Sequence, residues 1–210
     1  MPQLESRLFL VTDRHQTNGR LLVPLLQRVL TAGVPAIQLR ERDLSARELV
    51  ALAREVQAET ASRRSPLLIN DRIDVALALE GVGVHLRSNS LPVSVARRLL
   101  GAQRLLGISV HTIEEVLSAQ SQGADYIVLG PIYETPTKQM FGPPLGIHTL
   151  EKACRLVRIP IIGIGGVTAA RVREMRRAGA FGVAVITAIL GAADVESATR
   201  ELLDAVTRSP

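Results

Sequence analysis

The amino-acid sequence predicts an α/β fold, and within that class a (β/α)8 barrel forming one domain over residues 1–210. Three observations carry this expectation. Short runs rich in Val, Ile and Leu alternate with longer helical patterns along the whole chain, with no linker or composition shift to divide it. Eight such βα units fit at about 26 residues each, the compact end of the barrel range. The strand segments are also continuously apolar, as parallel strands covered by helices are. A doubly wound open sheet is the alternative. The barrel is favoured because polar groups or glycines fall at every strand end, where a barrel carries its site.

In chain order, the first apolar run, Leu8–Thr12, ends at Thr12-Asp13 and leads to an amphipathic helix over Leu21–Ala32. Strand Ala36–Leu39 follows, its end marked by Gln38, Arg40 and Arg42. Ser45 with Glu48 three residues on forms a capping box that starts a helix reaching Ser62. Strand Leu67–Ile69 ends at Asn70-Asp71 before helix Arg72–Leu79. Strand Gly83–Leu86 contains His85 and leads through Arg87-Ser88-Asn89-Ser90 into helix Pro92–Leu100. Strand Leu105–Ile108 ends at Ser109, with His111 just beyond. Thr112 with Glu115 is a second capping box, opening helix Thr112–Gln122. Strand Tyr126–Leu129 enters a long loop, and helix His148–Val157 follows. Strand Ile161–Ile164 runs into Gly165-Gly166, with Thr168 as the N-cap of helix Ala169–Ala178. Strand Gly182–Ile186 ends at Ile186-Thr187, and helix Val195–Thr207 closes the pattern.

The loop after the sixth strand, GPIYETPTKQMFGPPLG from Gly130 to Gly146, is long against the usual two to six residues, and such loops are usually functional or disordered. Pro131, Pro136, Pro143 and Pro144 fix φ at four points and argue against disorder. The loop carries Thr135, Thr137 and Lys138, donors suited to phosphate oxygens. Of the 25 basic residues only Lys138 and Lys152 are lysines, so Lys138 stands out in a chain that otherwise writes its cations as Arg. An ordinary surface lysine is the plain alternative.

Composition narrows the function classes. The net charge is +5 and the pI about 10.3, which raises nucleic-acid binding as a possibility. There is no Trp, however, only five aromatic residues, and the arginines are scattered, so no nucleic-acid partner is expected and small anionic ligands suit the charge better. No apolar run approaches the ~20 residues of a membrane span, and the N-terminus lacks a signal-peptide pattern, so a cytoplasmic protein without membrane attachment is expected. The single cysteine, Cys154, excludes an internal disulfide and reads as a small buried residue. A homo-oligomer is left open.

The strand ends suggest chemistry. Gly165-Gly166 with Thr168 would let backbone amides approach a phosphate, as loops after strands seven and eight of barrels often do. Arg40, Arg42 and Lys138 on one rim suit a diphosphate. Asp71 with Asn70 could bridge Mg2+ to diphosphate oxygens; an N-cap role for Asp71 is the alternative. No His, Glu or Cys set has zinc spacing, and no nucleophile elbow or Ser/His/Asp pattern is present, so covalent hydrolytic chemistry is not expected.

These residues fall in motifs that resemble the thiamine phosphate synthase family over nearly the full chain: LVTD from Leu10, QLRERD, INDRIDVA, GISVHT, GPIYETPTK and IGIGGV. The resemblance implies a (β/α)8 barrel that joins a pyrimidine diphosphate to a thiazole phosphate, with Mg2+, releasing thiamine phosphate and diphosphate. It implies that Gln38, Arg40, Asn70, Ser109 and Lys138 hold the pyrimidine diphosphate, with Arg42 at a position usually Lys, and that Lys138, Arg40 and Ser109 serve catalysis. Asp71 would be a Mg2+ ligand. Thr135, Thr137, Gly165, Gly166 and the backbone at Ile186-Thr187 would take the thiazole phosphate. Two positions depart from the pattern: Ser90 stands where the synthases carry a second metal carboxylate, and Arg42 replaces Lys. Both look like the sister group, the TenI-type thiazole tautomerases, but Pro131 stands where a tautomerase histidine would be expected. A tautomerase or a non-catalytic binder of thiazole or thiamine phosphates is therefore the alternative to synthase activity.

Overall fold

The computed structural model describes residues 4–63, 65–135 and 143–208. Parallel strands β1 (Leu8–Val11), β2 (Ala36–Leu39), β3 (Leu67–Asn70), β4 (Gly83–Leu86), β5 (Leu106–Val110), β6 (Tyr126–Leu129), β7 (Ile161–Ile164) and β8 (Gly182–Val185) close a barrel in sequence order. Closure is made by β1 pairing with β8, Phe9 opposite Ala184. The expected barrel is therefore the observed one, and all strand C-terminal ends meet at one rim.

Helices α1 (Leu22–Thr31), α2 (Ala46–Ala61), α3 (Ile73–Leu77), α4 (Val93–Leu100), α5 (Ile113–Ser121), α6 (Gly146–Leu156), α7 (Ala169–Arg177), α8 (Thr187–Leu190) and α9 (Val195–Thr207) follow the strands. Helix α1 shows why they pack: Leu22, Leu25, Leu26, Val29 and Leu30 lie on one stripe at helical spacing, and all are buried. Burying each such side chain contributes about 1.5–3 kcal/mol, so truncating fully enclosed Leu26 to Ala would cost about 2–5 kcal/mol. Both expected capping boxes form, Ser45 with Glu48 and Thr112 with Glu115, and Thr168 caps α7.

Alternation along each strand divides the core in two. Outward residues such as Leu8, Leu10, Ile37, Leu39 and Ile69 pack against the helices. Inward residues Phe9, Val11, Ala36, Leu68, Tyr126, Val128, Ile162 and Ala184 fill the barrel. Phe9 and Tyr126 stack inside it with ring centroids 5.4 Å apart. Gly107 on β5 makes this possible, because a Cβ there would lie 2.1 Å from Cζ of Tyr126.

The structure corrects three expected boundaries. Strand β5 runs to Val110, so Ser109 points from within the strand instead of following it. Strand β8 stops at Val185, and Ile186-Thr187 starts the one-turn helix α8, which the sequence pattern did not suggest. Helix α3 is only five residues long, and its N-cap is Arg72, without a side-chain cap; Asp71 is not the N-cap. Cys154 is only partly buried, packed at the edge of the core, and burial pushes its thiol up to about 11. Among the described residues, no helix is long and apolar enough to cross a membrane.

Candidate active site

The barrel interior is chemically lopsided. β2 to β5 turn Gln38, Asn70, His85 and Ser109 inward, and Tyr126 at the start of β6 joins them from below, while Val128, Ile162, Ile164, Ala184, Phe9 and Val11 on β6, β7, β8 and β1 are apolar. The Gln38 amide donates to Asn70 Oδ1 at 3.0 Å. This leaves the Gln38 carbonyl as an acceptor and the Asn70 amide as a donor for a ligand. His85, fully buried, meets Ser109 Oγ through Nε2 at 2.8 Å and the Tyr126 hydroxyl through Nδ1 at 2.9 Å. Burial pushes the His85 pKa down to about 3, so the ring is neutral at physiological pH.

Arg40 reaches the rim above Gln38. Its guanidinium donates to Asp13 Oδ2 at 3.4 Å, and burial first, then the charge of neighbouring Arg42, lowers its pKa. Arg42 itself is exposed. Beneath Arg40 lies a carboxylate that sequence reasoning missed. Glu41, buried to 1 % side-chain exposure, accepts from the Thr12 hydroxyl at 2.6 Å and from the Arg14 backbone N–H at 3.1 Å. The Arg14 guanidinium bridges Glu41 and Asp43, and His15 also meets Asp43, at 3.1 Å. The loops after β1 and β2 are thereby tied together, which fixes the backbone that carries Arg40. The sign of such a role was present in the sequence as Glu41 within QLRERD, but its partners lie 27 and 29 residues away.

Asp71 takes a left-handed backbone conformation, φ 66°, unusual for a residue with a side chain. Its Oδ2 accepts from Arg87 Nε at 2.7 Å, whereas Oδ1 is buried with no hydrogen-bond partner among the described residues. A buried carboxylate oxygen left without a donor suits a hard cation. Among the described residues, no group of three or more His, Cys, Asp or Glu gathers there or elsewhere to hold a metal. The carboxylate would therefore suit a hard cation whose remaining ligands are supplied from outside these side chains. Ser90, half-buried, donates its backbone N–H to the Arg87 carbonyl at 3.1 Å, within the same β4–α4 loop.

The long loop is tied at both ends. Leu145 N–H donates to the Pro131 carbonyl at 2.8 Å and Gly146 N–H to the Ile132 carbonyl at 3.1 Å. Its first residues lie on the loop after β7: Ile132 N–H bonds the Ile164 carbonyl at 2.8 Å, and Arg171 sits over the Tyr133 ring while bonding the Gly166 carbonyl. Gly165 and Gly166 have φ of 98° and 62°, and a Cβ on either would come within 2.8 Å of Pro131, Tyr133 or Glu134. Their lack of side chains is thus required by the close approach of two loops, besides any ligand. Thr135 is half-buried on this loop; Thr137 and Lys138 lie outside the described residues. Ile186 packs against the interior cluster, and Thr187 is exposed at the start of α8. His111 Nδ1 donates to the Gly130 carbonyl at 2.5 Å, joining the end of β5 to the loop's start.

A family model described as thiamine monophosphate synthase matches residues 8–189. A thiamine-phosphate synthase of Roseiflexus castenholzii is 42% identical over 203 residues, covering 97% of this chain and 89% of the relative. One from Moorella thermoacetica is 42% identical over 209 residues, covering 100% of this chain and 99% of the relative. A solved structure of thiamine phosphate pyrophosphorylase from Pyrococcus furiosus superposes with a TM-score of 0.87 at 33% identity, covering 96% of this chain and 95% of that one.

Proposed function

This chain belongs to the thiamine monophosphate synthase family, and from that premise we propose how its rim makes thiamine phosphate from 4-amino-5-hydroxymethyl-2-methylpyrimidine diphosphate and thiazole phosphate. The observation that carries the reading is the inward polar set on β2 to β6 with Arg40 at its rim and, beside it, an Asp71 oxygen without a partner among the described residues. We assign the polar edges of the pyrimidine to this set and its charged tail to the rim. The protein is a transferase of a pyrimidinylmethyl group; the relatives' names leave no need for the tautomerase alternative.

Gln38, Asn70 and Ser109 hold the pyrimidine, and Arg40, Arg42 and Lys138 face its diphosphate. The bond between the pyrimidine methylene carbon and the diphosphate oxygen breaks, and its electron pair leaves with the diphosphate. The thiazole ring nitrogen then gives its lone pair to that carbon, forming the new C–N bond. Arg40, with Asp13 and the Glu41 tie holding its backbone, is already oriented for the charge that builds on the departing oxygen, which is where such groups contribute most. Asp71 would hold Mg2+, which when bound neutralises diphosphate charge. Thr135, Thr137, Gly165, Gly166, Ile186 and Thr187 receive the thiazole phosphate. The metal and these individual roles are our assignments, supported by the positions of the described residues and by the family. The test is direct: purified protein with both substrates and Mg2+ is expected to form thiamine phosphate, and no product above background would overturn the reading.

A further inference from the structure

Tyr126, His85 and Ser109 form a hydrogen-bonded chain across three adjacent strands, and the direction of each bond can be worked out. The Tyr126 hydroxyl lies wholly inside the barrel, and its one hydrogen-bond partner among the described residues is His85 Nδ1 at 2.9 Å. If Nδ1 carried the ring hydrogen, the tyrosine would accept, and its own hydrogen would point into the apolar interior with nothing to meet. Folded proteins avoid such buried orphans. Tyr126 therefore donates to Nδ1. With Nδ1 accepting, the ring hydrogen sits on Nε2, which donates it to Ser109 Oγ at 2.8 Å.

We propose that Tyr126 is a positioning residue: by selecting the Nε2–H tautomer of His85, it leaves the Ser109 hydroxyl hydrogen free to be donated to the substrate. With its oxygen accepting from His85, the serine keeps its own hydrogen for the pocket, whereas an Nδ1–H tautomer would draw that hydrogen onto Nε2. The group that takes this hydrogen is an acceptor, an unprotonated ring nitrogen or a phosphate oxygen. Gly107 belongs to the same device, since only a residue without Cβ lets the Tyr126 ring lie across β5 to reach His85. The inference rests on Ser109 being a ligand of the pyrimidine diphosphate.

The test has a spectroscopic and a kinetic part. Long-range 1H–15N correlation on protein with 15N-labelled histidine, with His85→Gln to identify the signal, should show the hydrogen on Nε2 in the wild type. Tyr126→Phe should give a mixture or a shift to Nδ1–H. A wild-type Nδ1–H tautomer would overturn the proposal without any variant having to fold. In turnover, Tyr126→Phe should lower kcat/KM for the pyrimidine diphosphate roughly three- to tenfold, the scale of one misdirected hydrogen bond, and leave KM for thiazole phosphate unchanged. The Tyr126→Phe, Ser109→Ala double variant should lose no more than Ser109→Ala alone. Full additivity would refute the coupling. A wild type that makes no thiamine phosphate would defeat the functional reading instead, and the tautomer would still be decided by the spectrum.

Discussion

Replacing Gly107 by Ala adds one methyl group, yet the structure gives it a large cost. The new Cβ would lie 2.1, 2.4 and 2.6 Å from Cζ, Cε1 and Cε2 of Tyr126, where contact normally begins near 3.4 Å. The ring cannot swing away freely, because it is fully buried and stacked on Phe9 at 5.4 Å. Overpacking of this kind costs about 1–3 kcal/mol. Moving the ring also breaks its bond to His85 and strands two buried polar atoms, adding about 1–3 kcal/mol. A total of about 2–6 kcal/mol corresponds to a fall in Tm of roughly 5–20 °C for a chain of this size. Thermal and urea unfolding of Gly107→Ala measure it. The same substitution made on a Tyr126→Leu background should cost much less, since the obstructing ring is gone. An equal cost in both backgrounds, or a Tm within 2 °C or so of wild type, would refute the packing argument.

Other expectations follow from the rim. Arg87→Ala frees Asp71 Oδ2, so Mn2+ should bind the substrate-free protein more tightly, by roughly two- to fivefold given how little half-exposed ion pairs contribute, as read by the electron spin resonance of unbound Mn2+. Weaker binding would mean that Arg87 orients Asp71 for the metal instead of competing for it. Ser90→Asp should lower the Mg2+ concentration for half-maximal synthesis with little change in KM for thiazole phosphate; superimposable curves would remove Ser90 from the metal's surroundings. Because burial holds His85 neutral down to about pH 3 while an unfolded chain protonates it near 6.5, the unfolded state binds more protons between these values. Stability should thus fall with acidification by about 1.4 kcal/mol per pH unit more in wild type than in His85→Gln, and parallel profiles would contradict this. Lys138→Ala should raise the barrier by about 3 kcal/mol, on the scale of a lost oxyanion donor, with little change in Tm; normal turnover would make Lys138 an ordinary surface residue.

The architecture was legible because its signals are local. Period, capping boxes and strand-end residues lie within a few positions of one another, so seven of the eight strand starts coincide with the observed ones. The site was only partly legible. Gln38, Arg40, Asn70, Asp71 and Ser109 could be picked out as polar residues at strand ends. Tyr126 could not, since in sequence it opens an apolar run, and its meaning depends on a histidine 41 positions away and on the register of three strands. Glu41 was hidden for the same reason. Asp71 was legible as a carboxylate at a strand end, but its pairing with Arg87 needed the β3–β4 neighbourhood, which sets Asn70 beside His85. The double glycine was read as an approach for an anion; that two loops press against it emerges only once the strands are side by side.

The polar half of the barrel interior also bears on how this protein would respond to selection. Gln38, Asn70, His85, Ser109 and Tyr126 occupy places where aliphatic side chains would fill the same volume without hydrogen bonds to satisfy. A population selected for heat resistance alone, with thiamine supplied, should therefore drift first at these inward positions of β2 to β6, gaining thermal tolerance as it loses synthesis. The apolar strands β7, β8 and β1 have little left to gain and should stay as they are.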